Sequence, residues 1–127
     1  MREPQRGLGW SGQRIALRAR YADYMDSPAW YRRRELWLEA WAAAHDQEPT
    51  CAVCEAPWTL DHGDLHHRSY RRLGHEGHRD LIPVCNHCHL LLHAFLERSP
   101  AWRRLDRAQA TDLIVGLLRH RIEARHG

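Results

Sequence analysis

Four cysteines stand in two pairs of identical spacing, Cys51-x-x-Cys54 and Cys85-x-x-Cys88, and 30 residues separate the pairs. Each short turn directs two thiolates at one cation, and two such turns complete the tetrahedral shell that structural zinc requires. Because the gap is longer than in a simple zinc ribbon, we expect a folded insert between the pairs. The spacing predicts a structural Zn²⁺ site whose binding energy contributes to folding.

Four of the eleven histidines form two organised pairs close to these cysteines. His89 and His93 are four residues apart in a predicted helix, so their rings project from one face and can bind the same ion. His66 and His67 are adjacent in a predicted strand, so their side chains point to opposite sides of it. One of them can therefore bind a metal while the other acts as a base, since histidine ordinarily titrates at about pH 6.5.

The second cysteine pair also permits a different interpretation. The run from Cys85 to His89 reads C-x-x-C-H, which is the attachment pattern of c-type haem. Covalent haem of this kind belongs to exported proteins, and the first residues show no export signal. Haem would leave Cys51 and Cys54 without a partner, and no methionine follows the run to serve as an axial ligand, although a histidine could. We therefore expect zinc and no haem.

Local signals place these residues on predicted elements of an α+β fold. Ser27 and Pro28 are typical of an N-cap and a first helical residue, and they predict a helix over Pro28–Ala44 with a tryptophan-rich packing face. Ser99 and Pro100 close the helix that carries His89 and His93. The remaining elements are two short strands and two helices, over Asp64–Arg68, Asp80–Val84, Asn86–Arg98 and, with Thr111 as N-cap, Thr111–Arg125.

The whole chain has 127 residues, enough for one domain, and its formal net charge is +3. The charge is unevenly distributed: residues 1–34 carry eight arginines and three acids, residues 35–66 seven acids and no arginine, and residues 67–127 eleven arginines and six acids. Lysine is absent, and arginine is suited to binding phosphate in a bidentate manner. With no signal peptide and no apolar run long enough for a bilayer, we expect a cytoplasmic protein that does not contact membranes.

A longer pattern joins the cysteines and histidines, in the segments Leu65–Tyr70 (LHHRSY), Leu73–Glu76 (LGHE) and Asp80–His93 (DLIPVCNHCHLLLH). Taken together, the pattern over about 51–93 resembles the HNH endonuclease family, whose site is a ββα-metal motif. Ser27-Pro28-Ala29-Trp30 and the arginine-rich helix after it resemble the lead-in of many cysteine-bearing members. The resemblance implies a small ββα-metal (HNH) core with four-cysteine zinc knuckles, flanked by an N-terminal helix and C-terminal helices. We accordingly expect a basic flexible arm over 1–20, with a short helical piece over 13–20, a nuclease domain over 21–100 and a helical extension over 101–127.

The same resemblance assigns roles to the histidines. It implies that His66, His89 and His93 hold one divalent metal (Mg²⁺, Mn²⁺, Ni²⁺ or Zn²⁺) and that His67 is the general base. Asp80 occupies the position of the family's central asparagine, which braces the strand–loop connection and so helps to orient the base. An aspartate there can still accept hydrogen bonds, add a metal ligand or weaken catalysis. The implied activity is hydrolysis of DNA phosphodiester bonds, by nicking or by double-strand cleavage.

Arginines near the motif are the candidate nucleic-acid contacts, namely Arg68, Arg71, Arg72 and Arg79. The alternative for this loop is a solvated surface, with Glu76 as a brace. We expect DNA as the partner of a bacterial or phage-encoded enzyme, with weak sequence preference or with specificity supplied by a partner protein. Asp80 and the arginine-rich flanks also leave open a non-catalytic, zinc-stabilised DNA-binding or assembly module.

Overall fold

Five helices and one two-stranded antiparallel sheet make up the residues that the computed structural model describes, 15–126. The elements in chain order are α1 (residues 15–25), α2 (Pro28–Ala44), β1 (Gly63–His67), a 3₁₀ turn (His78–Asp80), β2 (Leu81–Cys85), α3 (Asn86–Arg98), α4 (Pro100–Arg103) and α5 (Arg107–His126). The predicted α+β class is confirmed. None of these helices combines the length and the apolar character that a membrane span needs.

Helix α2 has the bounds that its capping signals predict. The Ser27 side chain accepts a hydrogen bond from the Trp30 N–H, and Pro28 occupies the first turn, where no backbone donor is needed. Trp30 and Trp37 are buried and pack with a group of apolar side chains from the loop and the sheet, Trp58, Leu65 and Leu81. The packing role predicted for the tryptophan stripe is therefore confirmed, and α2 covers one face of the sheet.

The sheet places the two adjacent histidines at its end. Strands β1 and β2 are antiparallel, with His66 opposite Ile82 and His67 opposite Leu81. Each strand lies within one residue of its predicted bounds. The second strand starts after Asp80 because that residue closes the 3₁₀ turn, in which its carboxylate accepts a hydrogen bond from the Gly77 N–H.

Helices α3 and α5 pack together on the cysteine side of the sheet. Their shared core contains Leu92, Ile114 and Leu118, together with Val53 and Val84. Helix α3 has its predicted bounds, and Ser99 ends it and caps the short α4, which the sequence analysis did not predict.

The expected start of α5 is wrong. Thr111 is not its N-cap, because the helix begins at Arg107 and the Asp106 carbonyl already accepts the first helical bond from the Ala110 N–H. Thr111 is therefore an interior helix residue, and it is fully buried. Ala110 on the same helix is also buried, whereas Leu113 is half exposed.

The N-terminal arm falls mostly outside the described residues. Within them, residues 15–20 are helical and continue into the rest of α1, where the sequence predicted a short helical piece over 13–20. Helix α1 brings Tyr21 against His67 and Tyr70, with ring centroids 5.7 and 5.5 Å apart. It therefore lies over the histidine end of the sheet.

Candidate functional site

The four cysteines converge on one point. Their four sulfurs lie within 4.8 Å of one another, as the spacing of the two pairs predicts, and belong to Cys51, Cys54, Cys85 and Cys88. The sulfurs of Cys54 and Cys85 are 3.9 Å apart, which is close to the roughly 3.8 Å between thiolates about 2.3 Å from a tetrahedral zinc. Burial raises the pKa of Cys54 and Cys88, so four thiolates in this space require a cation between them. The cluster is compatible with a structural metal such as zinc.

The cysteine cluster connects elements that are distant in sequence. The Ala52 N–H donates to the Pro83 carbonyl at 2.8 Å and ties the first pair to β2. Cys85 ends β2 and caps α3, because its sulfur accepts a hydrogen bond from the Cys88 N–H at 3.4 Å. The cluster therefore holds the angle between β2 and α3, and thereby the position of the histidines on α3.

A histidine triad forms on the other side of this junction. His66 comes from β1, and His89 and His93 come from α3, with one ring nitrogen of each within 4.8 Å of the others. The Nε2 atoms of His89 and His93 are 3.1 Å apart, near the roughly 3.3 Å expected for imidazoles about 2.0 Å from a tetrahedral ion. The structure thus brings together the three residues that the resemblance assigns to a metal.

Two of the triad histidines, His89 and His66, are each oriented by a hydrogen-bonding side chain that the sequence analysis did not identify. His89 Nδ1 is 2.9 Å from an Asp64 carboxylate oxygen, which also accepts a hydrogen bond from Asn86. His66 Nε2 is 3.1 Å from the Thr111 hydroxyl, and its buried Nδ1 has no hydrogen-bond partner. Metal-binding histidines need such a support on one nitrogen and a free lone pair on the other. The donor set therefore fits a divalent cation with three protein ligands.

Burial also fixes the protonation of two of the three triad histidines. Burial lowers the pKa of His66 far below its ordinary range, and it lowers the pKa of His93 to about 4 with a further contribution from His89. Both rings are consequently neutral at pH 7. Neutral imidazole is the form that binds a metal ion.

His67 points away from the triad into an aromatic enclosure. Its side chain is only 1% exposed, and its ring stacks on Trp30 at 5.0 Å with Tyr21 edge-on. His67 Nε2 is 2.7 Å from a Glu76 carboxylate oxygen, and Tyr24 donates to the other oxygen at 2.7 Å. The buried Nδ1 has no hydrogen-bond partner.

The charge of Glu76 decides the tautomer of His67. Burial alone would raise the pKa of Glu76, but the hydrogen bonds from His67 and Tyr24 outweigh it and hold the pKa below its ordinary value. An ionised carboxylate only accepts hydrogen bonds, so His67 Nε2 carries the proton in this pair. In the neutral form of the ring, the lone pair is then on Nδ1.

Asp80 has other partners than the histidines. Its two carboxylate oxygens accept hydrogen bonds of 3.0 Å from Arg72, and one also accepts the Gly77 N–H at 2.8 Å. Burial raises the pKa of Asp80, but these bonds outweigh it and lower the pKa overall. Glu76, which the sequence analysis interpreted as a loop brace, makes the buried contact to His67, whereas the Asp80 carboxylate braces the turn before β2.

The four arginines assigned to DNA fall into two groups. Arg68 donates two hydrogen bonds to Asp112, at 3.0 and 2.7 Å, and Arg72 is bound to Asp80. Arg71 is 83% exposed and has only a long contact of 3.4 Å to Asp106, and Arg79 is also exposed. Arg71 and Arg79 are therefore the members whose charge is more available to a phosphate.

Two cavities flank the histidine triad, and Tyr21 of α1 lines both. The first cavity, of about 750 Å³, has His93 and Arg107 in its wall. The second, of about 410 Å³, is lined by His89 and Asp64. The triad is therefore reached by open space on two sides, whereas the cysteine cluster lies in the core between β2, α3 and α5.

Of the residues that sequence reasoning missed, only Asp64 had a readable signal. It stands two positions before His66 in β1, and alternation in a strand places both side chains on one face. The contact between Glu76 and His67 depends on how the intervening loop folds. Arg107 and Thr111 lie on α5, beyond the motif, and no spacing relates them to His66.

The chain matches no protein-family model, no curated protein and no solved structure. The function is therefore argued from the two clusters themselves. Their observed content is a four-cysteine cluster and a triad of histidines that can hold a metal.

Proposed function

We propose that this chain is a metal-dependent DNA endonuclease of the HNH type, which hydrolyses phosphodiester bonds. The observation that carries the proposal is that two adjacent histidines on β1 point into different surroundings. His66 joins the triad with His89 and His93, and His67 is held by a buried carboxylate. An antiparallel strand pair followed by a helix, with its ligands on the first strand and on the helix, is also the order of the ββα-metal motif.

The triad supplies the binding chemistry of this proposal. His66, His89 and His93 would hold a divalent cation, which polarises a phosphate oxygen and stabilises charge on the leaving 3′-oxygen when it is bound. Three protein ligands leave a coordination position for substrate, as in catalytic rather than structural metal sites. Asp64 and Thr111 keep the His89 and His66 rings in the binding orientation.

His67 supplies the base. Glu76 holds the proton on Nε2, so that Nδ1 is the atom that accepts a proton from the attacking water. The same carboxylate stabilises the imidazolium that then forms, because the two groups are 2.7 Å apart. By the family resemblance, the products carry 5′-phosphate and 3′-hydroxyl ends.

A plasmid-relaxation assay tests the proposal. The purified protein is incubated with supercoiled plasmid and, in separate reactions, with Mg²⁺, Mn²⁺, Ni²⁺ and Zn²⁺. We expect nicking with at least one metal and a loss of roughly 10²- to 10⁴-fold in rate for His67→Ala, the range that a general base contributes. His75→Ala, an exposed histidine of the same loop region, is the matched control and should cut like the wild type. Equal inactivity of the wild type and His67→Ala with all four metals would overturn the enzyme assignment.

One observation favours a second candidate, a non-catalytic zinc-stabilised DNA-binding module. His67 is enclosed by Trp30 and Tyr21 with 1% of its side chain exposed, and in this arrangement bulk water does not reach it. Such a module predicts salt-sensitive DNA binding that is unchanged by His67→Ala. It also predicts one bound metal per chain in elemental analysis, whereas the nuclease predicts two.

A further inference from the structure

The larger of the two cavities beside the triad is lined by four helices. Its volume of about 750 Å³ is formed between α1, α3, α4 and α5 together with Tyr70, and His93 stands in its wall. Ligand pockets commonly measure about 300–1,000 Å³, so this recess can enclose a molecule. A group bound in it lies directly beside the candidate metal centre.

The wall of the cavity carries excess positive charge. Arg18, Arg103 and Arg107 line it, and Glu97 is the only acid among the lining residues. Arg18 and Arg103 are exposed at the surface, and Arg107 is half-buried. The recess is therefore complementary to an anion.

Arg107 lacks partners for part of its guanidinium. Its Nε donates to the His67 carbonyl at 2.8 Å and its Cζ lies 4.3 Å from the centroid of the Tyr70 ring, but Nη2 is buried with no hydrogen-bond partner. Within residues 15–126, no carboxylate is near enough to form an ion pair with it. A buried, unsatisfied charged donor is costly, and a phosphate oxygen at Nη2 would remove that cost.

The dimensions of the cavity select the form of the ligand. A duplex is too wide to be enclosed in a recess of this volume, because its two backbones are separated by a major groove that is itself about 12 Å wide. An unpaired nucleotide can enter, and the aromatic side chains of Tyr21, Tyr70 and Trp102 line the space beside the arginines. Aromatic rings combined with arginines are the means by which proteins bind single strands without reading their sequence.

We propose that this cavity binds an unpaired nucleotide of the DNA strand next to the phosphodiester at the triad, with Arg107 on its phosphate. The substrate class is accordingly single-stranded or locally unpaired DNA rather than intact duplex. The inference that this DNA is a substrate rests on the proposed nuclease function, but the binding site itself does not depend on catalysis.

Binding measured without added divalent metal tests the site separately from cleavage. Fluorescence anisotropy compares a labelled oligothymidylate with a blunt duplex of the same length, using the full chain with its zinc. We expect the single strand to bind at least about tenfold more tightly. Tyr21→Leu should weaken it by roughly 5- to 100-fold, which is the scale of one base–aromatic stack. Tyr31→Leu, an exposed tyrosine that lines only the smaller cavity, is its matched control and should bind like the wild type.

The arginines provide a second set of variants. Arg107→Gln should weaken single-strand binding by roughly tenfold or more, the loss of a charge-assisted hydrogen bond. Because Arg107 is half-buried, Arg103→Gln, at an exposed position of the same wall, serves as a variant that is expected to fold normally. Arg104→Gln changes the neighbouring exposed arginine, which does not line the cavity, and should leave affinity unchanged.

Each result has a distinct meaning. Equal affinity for the two DNA forms, or wild-type affinity in both Arg107→Gln and Arg103→Gln, overturns the cavity assignment even if plasmid is cleaved. Single-strand preference that depends on Tyr21 and Arg103 supports it even if no metal supports cleavage, and in that case only the nuclease proposal fails. If the enzyme is active, it should cut single-stranded circles and supercoiled plasmid faster than relaxed duplex.

Discussion

The cysteine cluster and the histidine triad are built on the same junction, but their surroundings differ. The cysteines offer four sulfurs to one cation, accept backbone N–H groups and lie in an apolar core that includes Val53, Val84 and Leu92. The histidines offer three ring nitrogens that can hold a metal, are supported by a carboxylate and a hydroxyl, and border two cavities. A closed four-ligand shell is typical of structural zinc, and an open three-ligand shell is typical of catalytic metal.

Under the proposed function, this difference separates stability from chemistry within one small chain. Cys85 and Cys88 belong to the turn that starts α3, and His89 and His93 follow on the same helix. The first cluster therefore orients the second. A substitution in the cysteine cluster should therefore affect both the fold and the triad, whereas a substitution in the triad should leave the fold in place.

The largest effect is expected from the cysteine cluster. Cys88→Ser removes one buried ligand, and structural zinc contributes about 10–16 kcal/mol of apparent binding energy that depends on the complete ligand set. We expect loss of cooperative thermal unfolding, measured by circular dichroism, and loss of bound zinc by elemental analysis.

His93→Ala is the contrasting variant in the other cluster. It should keep a cooperative transition and one zinc per chain while losing the second metal. If Cys88→Ser still unfolded cooperatively with the wild-type midpoint, the cysteine cluster would not be the structural one.

The next effect concerns the base and its carboxylate. Glu76→Gln preserves shape but removes the charge that holds the proton on His67 Nε2. Loss of a correctly oriented general base lowers rates by roughly 10²- to 10⁴-fold, so we expect a fall within this range in plasmid nicking. Affinity for DNA, measured by anisotropy, should stay at the wild-type value, since Glu76 is 4% exposed and does not reach the surface. Wild-type nicking rates in this variant would show that His67 does not act as the base.

Glu76 also makes stability depend on pH. Its pKa in the fold lies below the ordinary value of 4.5, because the hydrogen bonds from His67 and Tyr24 outweigh the effect of burial. A carboxylate with a depressed pKa stabilises the fold above its unfolded pKa, and this contribution is lost as the pH falls through the folded pKa. Below about pH 4.5, therefore, the wild type should lose stability more steeply than Glu76→Gln in thermal melts. Parallel profiles of the two proteins would contradict the ionised state assigned to Glu76.

The parts of the fold that could be predicted from the sequence are those set by neighbouring residues. Helix α2 starts and helix α3 ends where predicted, because Ser27, Pro28, Ser99 and Pro100 act within one turn of those helix ends. The predicted start of α5 was wrong. Thr111 has the residue type of an N-cap, but tertiary packing buries it in the helix interior. Local propensity is a weak guide where packing decides.

The candidate site divides in the same way. The cysteine pairs and the pair His89 and His93 are local spacings, and the structure gathers each of them. The contacts of Glu76 with His67 and of Arg107 with the His67 carbonyl depend on loop and helix packing, which no local pattern encodes. The role of Asp80 was expected from its motif position alone, and its carboxylate accepts hydrogen bonds from Arg72 and from the Gly77 N–H in the turn before β2.

A smaller effect is expected from the carboxylate behind the triad. Asp64→Asn weakens the support of His89 Nδ1, and loss of such a partner typically lowers metal affinity by about 10- to 100-fold. The midpoint of a metal titration of nicking activity should therefore shift to higher concentration, while the zinc of the cysteine cluster is retained. Asp61 is an exposed acid that lines the smaller cavity together with Asp64, so Asp61→Asn is the matched control and should titrate like the wild type. Equal midpoints for Asp64→Asn and the wild type would separate Asp64 from the metal centre.

The smallest effect is expected at the contact between α5 and the triad. Thr111→Val keeps the buried volume nearly constant but removes the hydroxyl 3.1 Å from His66 Nε2. The His66 ring then has a buried N–H without an acceptor, which costs about 1–3 kcal/mol, so the midpoint of thermal unfolding should fall by a few degrees. In the metal-loaded protein the loss should be larger than in the metal-free protein, because a bound cation fixes the ring with its N–H towards Thr111. An equal loss in both forms would mean that Thr111 supports only the packing of α5 and not the orientation of His66.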